Sequence, residues 1–192
     1  MRAVVTGSSG FLGRAFARHL LRLGADVEGL DLVPGPPEWE TRVADLSRPG
    51  DWTGALVGAD LVVHTAARVG EVGTPAQFRA QTVEATRRVV AASADAGRLL
   101  HLSSIVVHGR TFPNPCPEHH PVQPTGNPYT DTKIASEHAV LQAMAAGRVR
   151  ASVIRPGDVY GPGSRQWTVR AVEMLQAGTF ALVDGDRGVL SP

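Results

Sequence analysis

Short apolar runs alternate with stretches of three-and-four spacing along most of the chain. Arg2-Ala3-Val4-Val5-Thr6 reads as a first strand and runs straight into a glycine cluster, Gly7-Ser8-Ser9-Gly10-Phe11-Leu12-Gly13. Leu12, Ala15, Phe16, His19, Leu20 and Leu23 then fall at helical spacing, with Gly24 placed as a stop. Val27 to Asp31 predicts a second strand ending on a carboxylate, and Val33-Pro34-Gly35-Pro36-Pro37 a loop. Thr41 to Ala44 predicts a third strand before Asp45-Leu46, and Leu61 to Ala67 a fourth that ends in small residues. Pro75 opens a helical stretch to about Ala96, with Gly97 ending it, and Leu99 to Ser104 is a fifth strand finishing on two hydroxyls. Residues 109 to 128 carry six prolines and form a loop or rigid spacer. A helix from Tyr129 to about Ala146 and a sixth strand, Arg150 to Arg155, follow. Pro156 to Gly163 is turn-rich, Trp167 to Gln176 helical, and Phe180 to Val183 a short extended piece. Strands alternating with helices over more than a hundred residues predict an α/β fold, a doubly wound parallel sheet covered on both faces.

In such sheets ligands lie beyond the carboxyl ends of the strands, where Gly7, Asp31, Ala66 and Ser104 would all fall. The glycines stand between a buried strand and a helix start. Backbone N–H groups and the helix dipole attract a pyrophosphate there, and missing Cβ atoms let it approach. The spacing is Gly-x-x-Gly-x-x-Gly, and a glycine turn that only joins strand to helix would look the same. Asp31 lies eighteen residues after Gly13. A carboxylate there accepts from both ribose hydroxyls and repels a 2′-phosphate, which favours NAD over NADP; the alternative is a turn aspartate at a strand end. His64 and His101 sit singly inside strand-like runs and read as packing residues.

Lys133 is the one lysine among 19 lysines and arginines, and it stands four positions after Tyr129, one of two tyrosines. On a helix that is about one turn, so phenol and ammonium share a face. A neighbouring cation lowers a phenol's pKa from about 10, and the pair could then exchange a proton with an alcohol or ketone near neutral pH. A plain solvated helix face has the same spacing. Lysine nonetheless offers a compact ammonium able to stand close to a phenol and a sugar hydroxyl.

Composition narrows the rest. The chain has 192 residues, 43% hydrophobic and 19% charged, with a net charge of +1, which describes a globular protein with scattered arginines. No nucleic-acid or anionic-membrane footprint is visible, and no apolar run approaches the roughly 18 residues of a membrane span. The chain opens on a strand, with no leader-like segment, and its single cysteine, Cys116, excludes an internal disulfide. Both point to a cytoplasmic protein. His119-His120 lacks further ligand-like spacing, so no metal site is expected.

Taken in order, these residues resemble the extended short-chain dehydrogenase/reductase family, its NAD-dependent epimerase/dehydratase and 3β-hydroxysteroid-dehydrogenase-like group. The resemblance rests on Thr6 to Gly13, Asp31, Asp45-Leu46, His64-Thr65-Ala66-Ala67, Ser103-Ser104, Tyr129-x-x-x-Lys133 and Arg155-Pro156-Gly157-Asp158-Val159-Tyr160-Gly161-Pro162. It implies a Rossmann-type fold with NAD as cofactor. Tyr129 would be the general acid/base, Lys133 would hold the nicotinamide ribose, and Ser104 would hydrogen-bond the substrate oxygen. Gly7, Ser9, Gly10, Phe11, Leu12 and Gly13 would carry the pyrophosphate and Asp31 the ribose. Asp45 and Leu46 would border the adenine, Thr65, Ala66 and Ala67 would floor the cofactor, and Pro156, Asp158 and Val159 would approach the nicotinamide carboxamide.

Three departures qualify it. Thr82 replaces the usual asparagine and Glu84-Ala85-Thr86 the usual Asn-Gly-Thr, which puts a helix bend or water relay there in doubt. His108 replaces a tyrosine. Family members also continue for roughly a hundred residues beyond Pro192. Residues 1–165 are therefore expected to form the NAD-binding domain and 166–192 the start of a substrate-binding region that is largely missing.

The expected activity is NAD-dependent oxidation of a secondary alcohol or reduction of the ketone, on a steroid, a sugar nucleotide or a small hydroxy-ketone. A nucleotide-sugar epimerase that retains NAD and a non-catalytic NAD sensor are the alternatives. Ile105 and Val106 follow Ser104 where sugar dehydratases carry an acidic pair, and an apolar pair cannot shuttle protons for water elimination. The family's habit implies a homodimer through the helices led by Pro75 and Tyr129.

Overall fold

The computed structural model describes residues 1–70, 72–109 and 111–179. Six strands, β1 (Arg2–Thr6), β2 (Asp26–Asp31), β3 (Glu40–Val43), β4 (Leu61–His64), β5 (Leu99–Leu102) and β6 (Ala151–Ile154), form one sheet in the order β3-β2-β1-β4-β5-β6. Every pairing is parallel. The helices are α1 (Phe11–Arg22), α2 (Pro75–Phe78), α3 (Ala85–Ala92), α4 (Pro128–Ala145) and α5 (Arg170–Gln176).

Because neighbouring side chains on a strand face opposite ways, an uninterrupted apolar strand must be covered twice. Ala3 and Val5 belong to one core with Val27, Val63 and Leu102, under Ala17 and Leu20 of α1. Val4 belongs to the other, with Leu30, Val62 and Leu99, under Trp52, Leu56, Val89 of α3 and Val140 of α4. This is the doubly wound α/β architecture that the alternating pattern predicts. Leu30, Leu56 and Leu99 are wholly buried, and each contributes about 1.5–3 kcal/mol by leaving water.

Strand order reverses between β1 and β4, where Thr6 stands opposite His64. Connections leaving two such neighbours diverge and open a crevice at their carboxyl ends. Three strands are shorter than the sequence runs suggest, β6 by one residue at each end and β4 and β5 at their carboxyl ends. Beyond His64 the ladder gives way to side-chain bonds: Thr65 Oγ1 donates to the Thr6 carbonyl at 2.7 Å, and the Ala66 N–H to Thr6 Oγ1 at 3.3 Å. Beyond Leu102, Ser103 donates one last bond to the Ile154 carbonyl, and Ser104 caps a 3-10 turn, Ile105–His108.

The helix predicted over Pro75 to Ala96 ends at Ala92 and widens in its middle into a π-type stretch, Arg79–Glu84. Thr82 stands in that stretch, so the helix departs from α geometry there without the usual asparagine. Its hydroxyl accepts the Arg68 N–H at 3.1 Å, and its carbonyl accepts Thr86 Oγ1 at 2.7 Å. The start of α4 is set by Asn127, whose side chain accepts the N–H groups of Tyr129 and Thr130, with Pro128 at the first helical position. Tyr129 is thereby held in the first turn.

The chain divides into two compact units, Met1–Arg155 and a second beginning at Pro156. Within the second, Ser164 Oγ donates to the Val159 carbonyl and caps a π-type turn, Arg165–Val169, that leads into α5. The extended piece predicted at Phe180 to Val183 lies outside the described residues. No helix among the described residues is long and apolar enough to cross a membrane.

Candidate active site

Gly7 leaves β1 with φ at +71°, a conformation in which a side chain is strained, and a Cβ there would lie 2.7 Å from Thr65 Oγ1. Gly13 is closed by contact instead: its Cβ would sit 1.9 Å from the Gly7 carbonyl oxygen. The turn thus needs both glycines to fold α1 back against β1. Gly10 is the N-cap of α1, with no side-chain cap and no acidic residue in the first turn. A bare, positively polarised helix start beside an exposed glycine suits a pyrophosphate. The N–H groups of Ser9, Phe11 and Leu12 belong to that same turn and first helical residues.

Asp31 ends β2 beside this turn. Its Oδ2 accepts the Ser9 N–H at 2.9 Å and its Oδ1 the Val33 N–H at 3.3 Å. The carboxylate therefore braces the glycine turn while keeping lone pairs for a ligand. Thr65, Ala66 and Ala67 are half-buried on the loop that leaves β4, with Thr65 and Ala66 against Gly7. Asp45 uses its carboxylate locally, accepting from Ser47 N and Oγ at 2.9 and 2.6 Å and pairing with Arg48. Leu46 is buried in the core.

Three residues of the acid/base set come together at the end of β5. The Ser104 hydroxyl is close enough to the Tyr129 phenol to favour its ionised form. Lys133, 4% exposed, donates its Nζ to the Leu102 carbonyl at 2.8 Å. The expected effect of the lysine on the phenol is corrected here. Burial pushes the Tyr129 phenol above its ordinary pKa, and the Ser104 hydroxyl offsets only part of that. The ammonium is itself desolvated, which brings Lys133 down to about 8, and it is directed at a carbonyl. Near neutral pH the phenol therefore keeps its proton.

Behind Lys133 lies a polar layer that the isolated-histidine reading identifies only as packing. His64 and His101 are opposite each other on β4 and β5, with ring centroids 5.4 Å apart, and both are buried. Thr86 Oγ1 donates to the Thr82 carbonyl, so it accepts from His64 Nε2–H at 2.9 Å, and Nδ1 accepts from Thr6 Oγ1 at 2.7 Å. His64 is thus a neutral Nε2–H tautomer. Burial, reinforced by Lys133, pushes it down to about 3, and burial, with His64 and Lys133 adding to it, pushes His101 well below its ordinary value.

Sequence reasoning passed over Glu137 and, although it placed Arg155 at the end of the sixth strand, gave that residue no role. Glu137 is one further turn along the face that carries Tyr129 and Lys133, and a carboxylate at that spacing was the available signal. Arg155 Nε and Nη2 meet its two oxygens at 3.0 and 2.5 Å. Burial pushes the Glu137 carboxyl up, but the two bonds from Arg155 help outweigh it and leave it below the usual carboxylate range. Cys116 is a half-buried free thiol in the proline-rich loop. In the second unit, Pro156, Asp158 and Val159 are half-buried in a turn braced by the Gly161 N–H on Thr168 Oγ1 at 3.0 Å. Among the described residues no group of three or more histidine, cysteine or acidic side chains is placed to hold a metal ion.

The sequence profile of the NAD dependent epimerase/dehydratase family matches residues 3–182. The chain is 30% identical to a 3-beta-hydroxysteroid dehydrogenase of Mycolicibacterium neoaurum, over 98% of this chain and 56% of that protein. It is 31% identical to a 2-alkyl-3-oxoalkanoate reductase of Stenotrophomonas maltophilia, over 98% and 60%. A solved UDP-galactose 4-epimerase superposes with a TM-score of 0.80 at 30% identity, covering 95% of this chain and 65% of that one. A short-chain dehydrogenase/reductase superfamily protein from Agrobacterium tumefaciens with bound NAD gives 0.78 at 27% identity, covering 93% and 59%. The chain therefore spans between 56% and 60% of the length of these two curated relatives.

Proposed function

The chain belongs to the NAD-dependent epimerase/dehydratase family, and from that premise we propose that it acts as an NAD-dependent oxidoreductase on a secondary alcohol or its ketone. The observation that supports the reading is that Ser104 acts on the Tyr129 phenol at the end of β5, with Lys133 one turn along the same helix. Gly7, Ser9, Gly10, Phe11, Leu12 and Gly13 would hold the cofactor's pyrophosphate, and Asp31 its ribose. Thr65, Ala66 and Ala67 would lie under it, and Asp45 and Leu46 beside its adenine. Bound NAD supplies the hydride chemistry at the carbinol carbon.

The protein's own part is proton handling and position. Ser104 donates a hydrogen bond to the substrate oxygen and fixes it beside the phenol. Tyr129, protonated at neutral pH, gives that oxygen its proton when a ketone is reduced. In the oxidative direction the phenol must first lose its proton, so oxidation rises with pH while reduction falls. Lys133 keeps one N–H on the Leu102 carbonyl and has two left for ribose hydroxyls.

The steroid dehydrogenase and oxoalkanoate reductase among the relatives favour net oxidation or reduction over an epimerase's internal cycle. The same reading makes the protein a cytoplasmic homodimer, for which a monomer in sedimentation would be the contrary result. The decisive variant is Tyr129→Phe: NAD still binds in a calorimetric titration, and turnover on a panel of secondary alcohols and ketones disappears. Turnover that survives the substitution would place the proton transfer elsewhere.

A further inference from the structure

Tyr129, Lys133 and Glu137 recur every four residues and form three rungs along one face of α4. The phenol reaches Ser104, the ammonium reaches the Leu102 carbonyl, and the carboxylate takes the guanidinium of Arg155. Glu137 is 1% exposed. A bidentate guanidinium–carboxylate pair is directionally strict, yet burying one adds little net stability because both ions lose water. Its consequence is geometric. The remaining nitrogen of Arg155, Nη1, donates to the Glu118 carbonyl at 2.6 Å and lies 3.4 Å from His108 Nε2. His108 Nδ1 in turn meets the Pro121 carbonyl at 3.3 Å, and the Gln123 N–H donates to the Val107 carbonyl at 2.8 Å. One side chain thus joins the acid/base helix, the end of β6, the turn that follows Ser104, and the proline-rich loop. A lysine could not make these contacts together, because it lacks the planar fork.

We propose that Arg155 and Glu137 are positioning residues for the Ser104–Tyr129 pair, clamping the acid/base helix and the proline-rich loop into a single register. The proposal rests on the reading of Tyr129 as the proton donor. It also assigns a task to His108: in place of a phenol, an imidazole bridges the guanidinium and the loop backbone.

The chain carries its own reporters. It has two tyrosines and one cysteine, so a Tyr160→Phe background leaves Tyr129 as the sole source of tyrosinate absorbance, and Cys116 reports on the loop. In that background, Arg155→Met/Glu137→Met replaces the ion pair with apolar groups of similar size, which a fold tolerates. The expected results are a cooperative unfolding transition, and reaction of Cys116 with a disulfide reagent about tenfold faster or more as the loop opens locally. The Tyr129 midpoint falls by about half a pH unit or more as the phenol gains water. Arg155→Lys, which keeps the charge, shows the same two changes at smaller size, and it carries the test if the double variant does not fold. A folded variant whose thiol rate stays within about twofold of the parent and whose phenol titration does not move overturns the proposal. Neither readout needs cofactor or substrate. Failure here is therefore separate from persistence of turnover in Tyr129→Phe, which strikes only the functional reading.

Discussion

Replacing Lys133 with methionine should make the protein more stable at neutral pH. The ammonium is buried and held by one hydrogen bond, and desolvation lowers its pKa from 10.5 to about 8. Keeping it charged in the fold therefore costs roughly 3 kcal/mol relative to water. Methionine has similar length and removes that cost, but leaves the Leu102 carbonyl without its donor, a loss of about 1 kcal/mol or more. The net expectation is a gain of roughly 1–2 kcal/mol at pH 7. The pH dependence gives the sharper test. Between about 8 and 10.5 the unfolded chain holds a proton at Lys133 that the folded chain has released, so the parent's stability rises through that window. The contribution is complete above the unfolded value and gone below the folded one. Urea unfolding of parent and variant at pH 7 and pH 10 measures it. The variant leads at pH 7, and the parent overtakes it by pH 10. A variant clearly less stable at pH 7, or a difference that does not change between the two pH values, would refute the reasoning. The exchange of stability for a charged group in the crevice is what a cofactor-binding lysine would predict.

Other expectations follow from the same geometry. Ser104→Ala in the Tyr160→Phe background removes the hydroxyl that lowers the phenol's pKa, so the tyrosinate midpoint rises; an unchanged titration curve would mean that the two hydroxyls do not interact. Gly13→Ala drives a Cβ into the Gly7 carbonyl and should cost about 1–3 kcal/mol in denaturant unfolding, whereas Gly54→Ala, with no atom within 4 Å, should be near neutral. Asp31→Asn should narrow the preference for NAD over NADP by about tenfold in calorimetric titration, and equal affinities in the parent would remove the assignment. His64, held neutral down to about pH 3, makes the parent lose about 1.4 kcal/mol of stability per pH unit between 6.5 and that value. The unfolded chain takes up a proton in that window and the folded chain does not. His64→Gln should show a shallower acid slope; parallel slopes would contradict the burial argument.

Most of the sheet was legible because burial on both faces leaves an unmistakable apolar run, as in Ala3 to Val5 and Leu61 to Val63. Strand ends were less so. Thr65 and Ser103 belong to apolar or β-prone runs, and the sequence pattern does not show that their side chains and amides leave the ladder to bond across the sheet end. Tyr129 and Lys133 could be paired by spacing alone, but the direction of the phenol's shift could not be read from it. That depends on whether desolvation or charge prevails, and burial is a tertiary property. Glu137 was within reach of the same spacing rule, whereas its partner Arg155 is eighteen residues further on, at the end of a different element.

The facing pair of imidazoles behind Lys133 has a wider meaning. Each is buried so that accepting a proton is unfavourable throughout the pH range of cells, His64 between the hydroxyls of Thr6 and Thr86 and His101 beside that of Ser136. The crevice therefore has an insulated back wall. Neither ring is placed to take up a proton from a molecule bound at the strand ends, which leaves proton handling to the groups on α4.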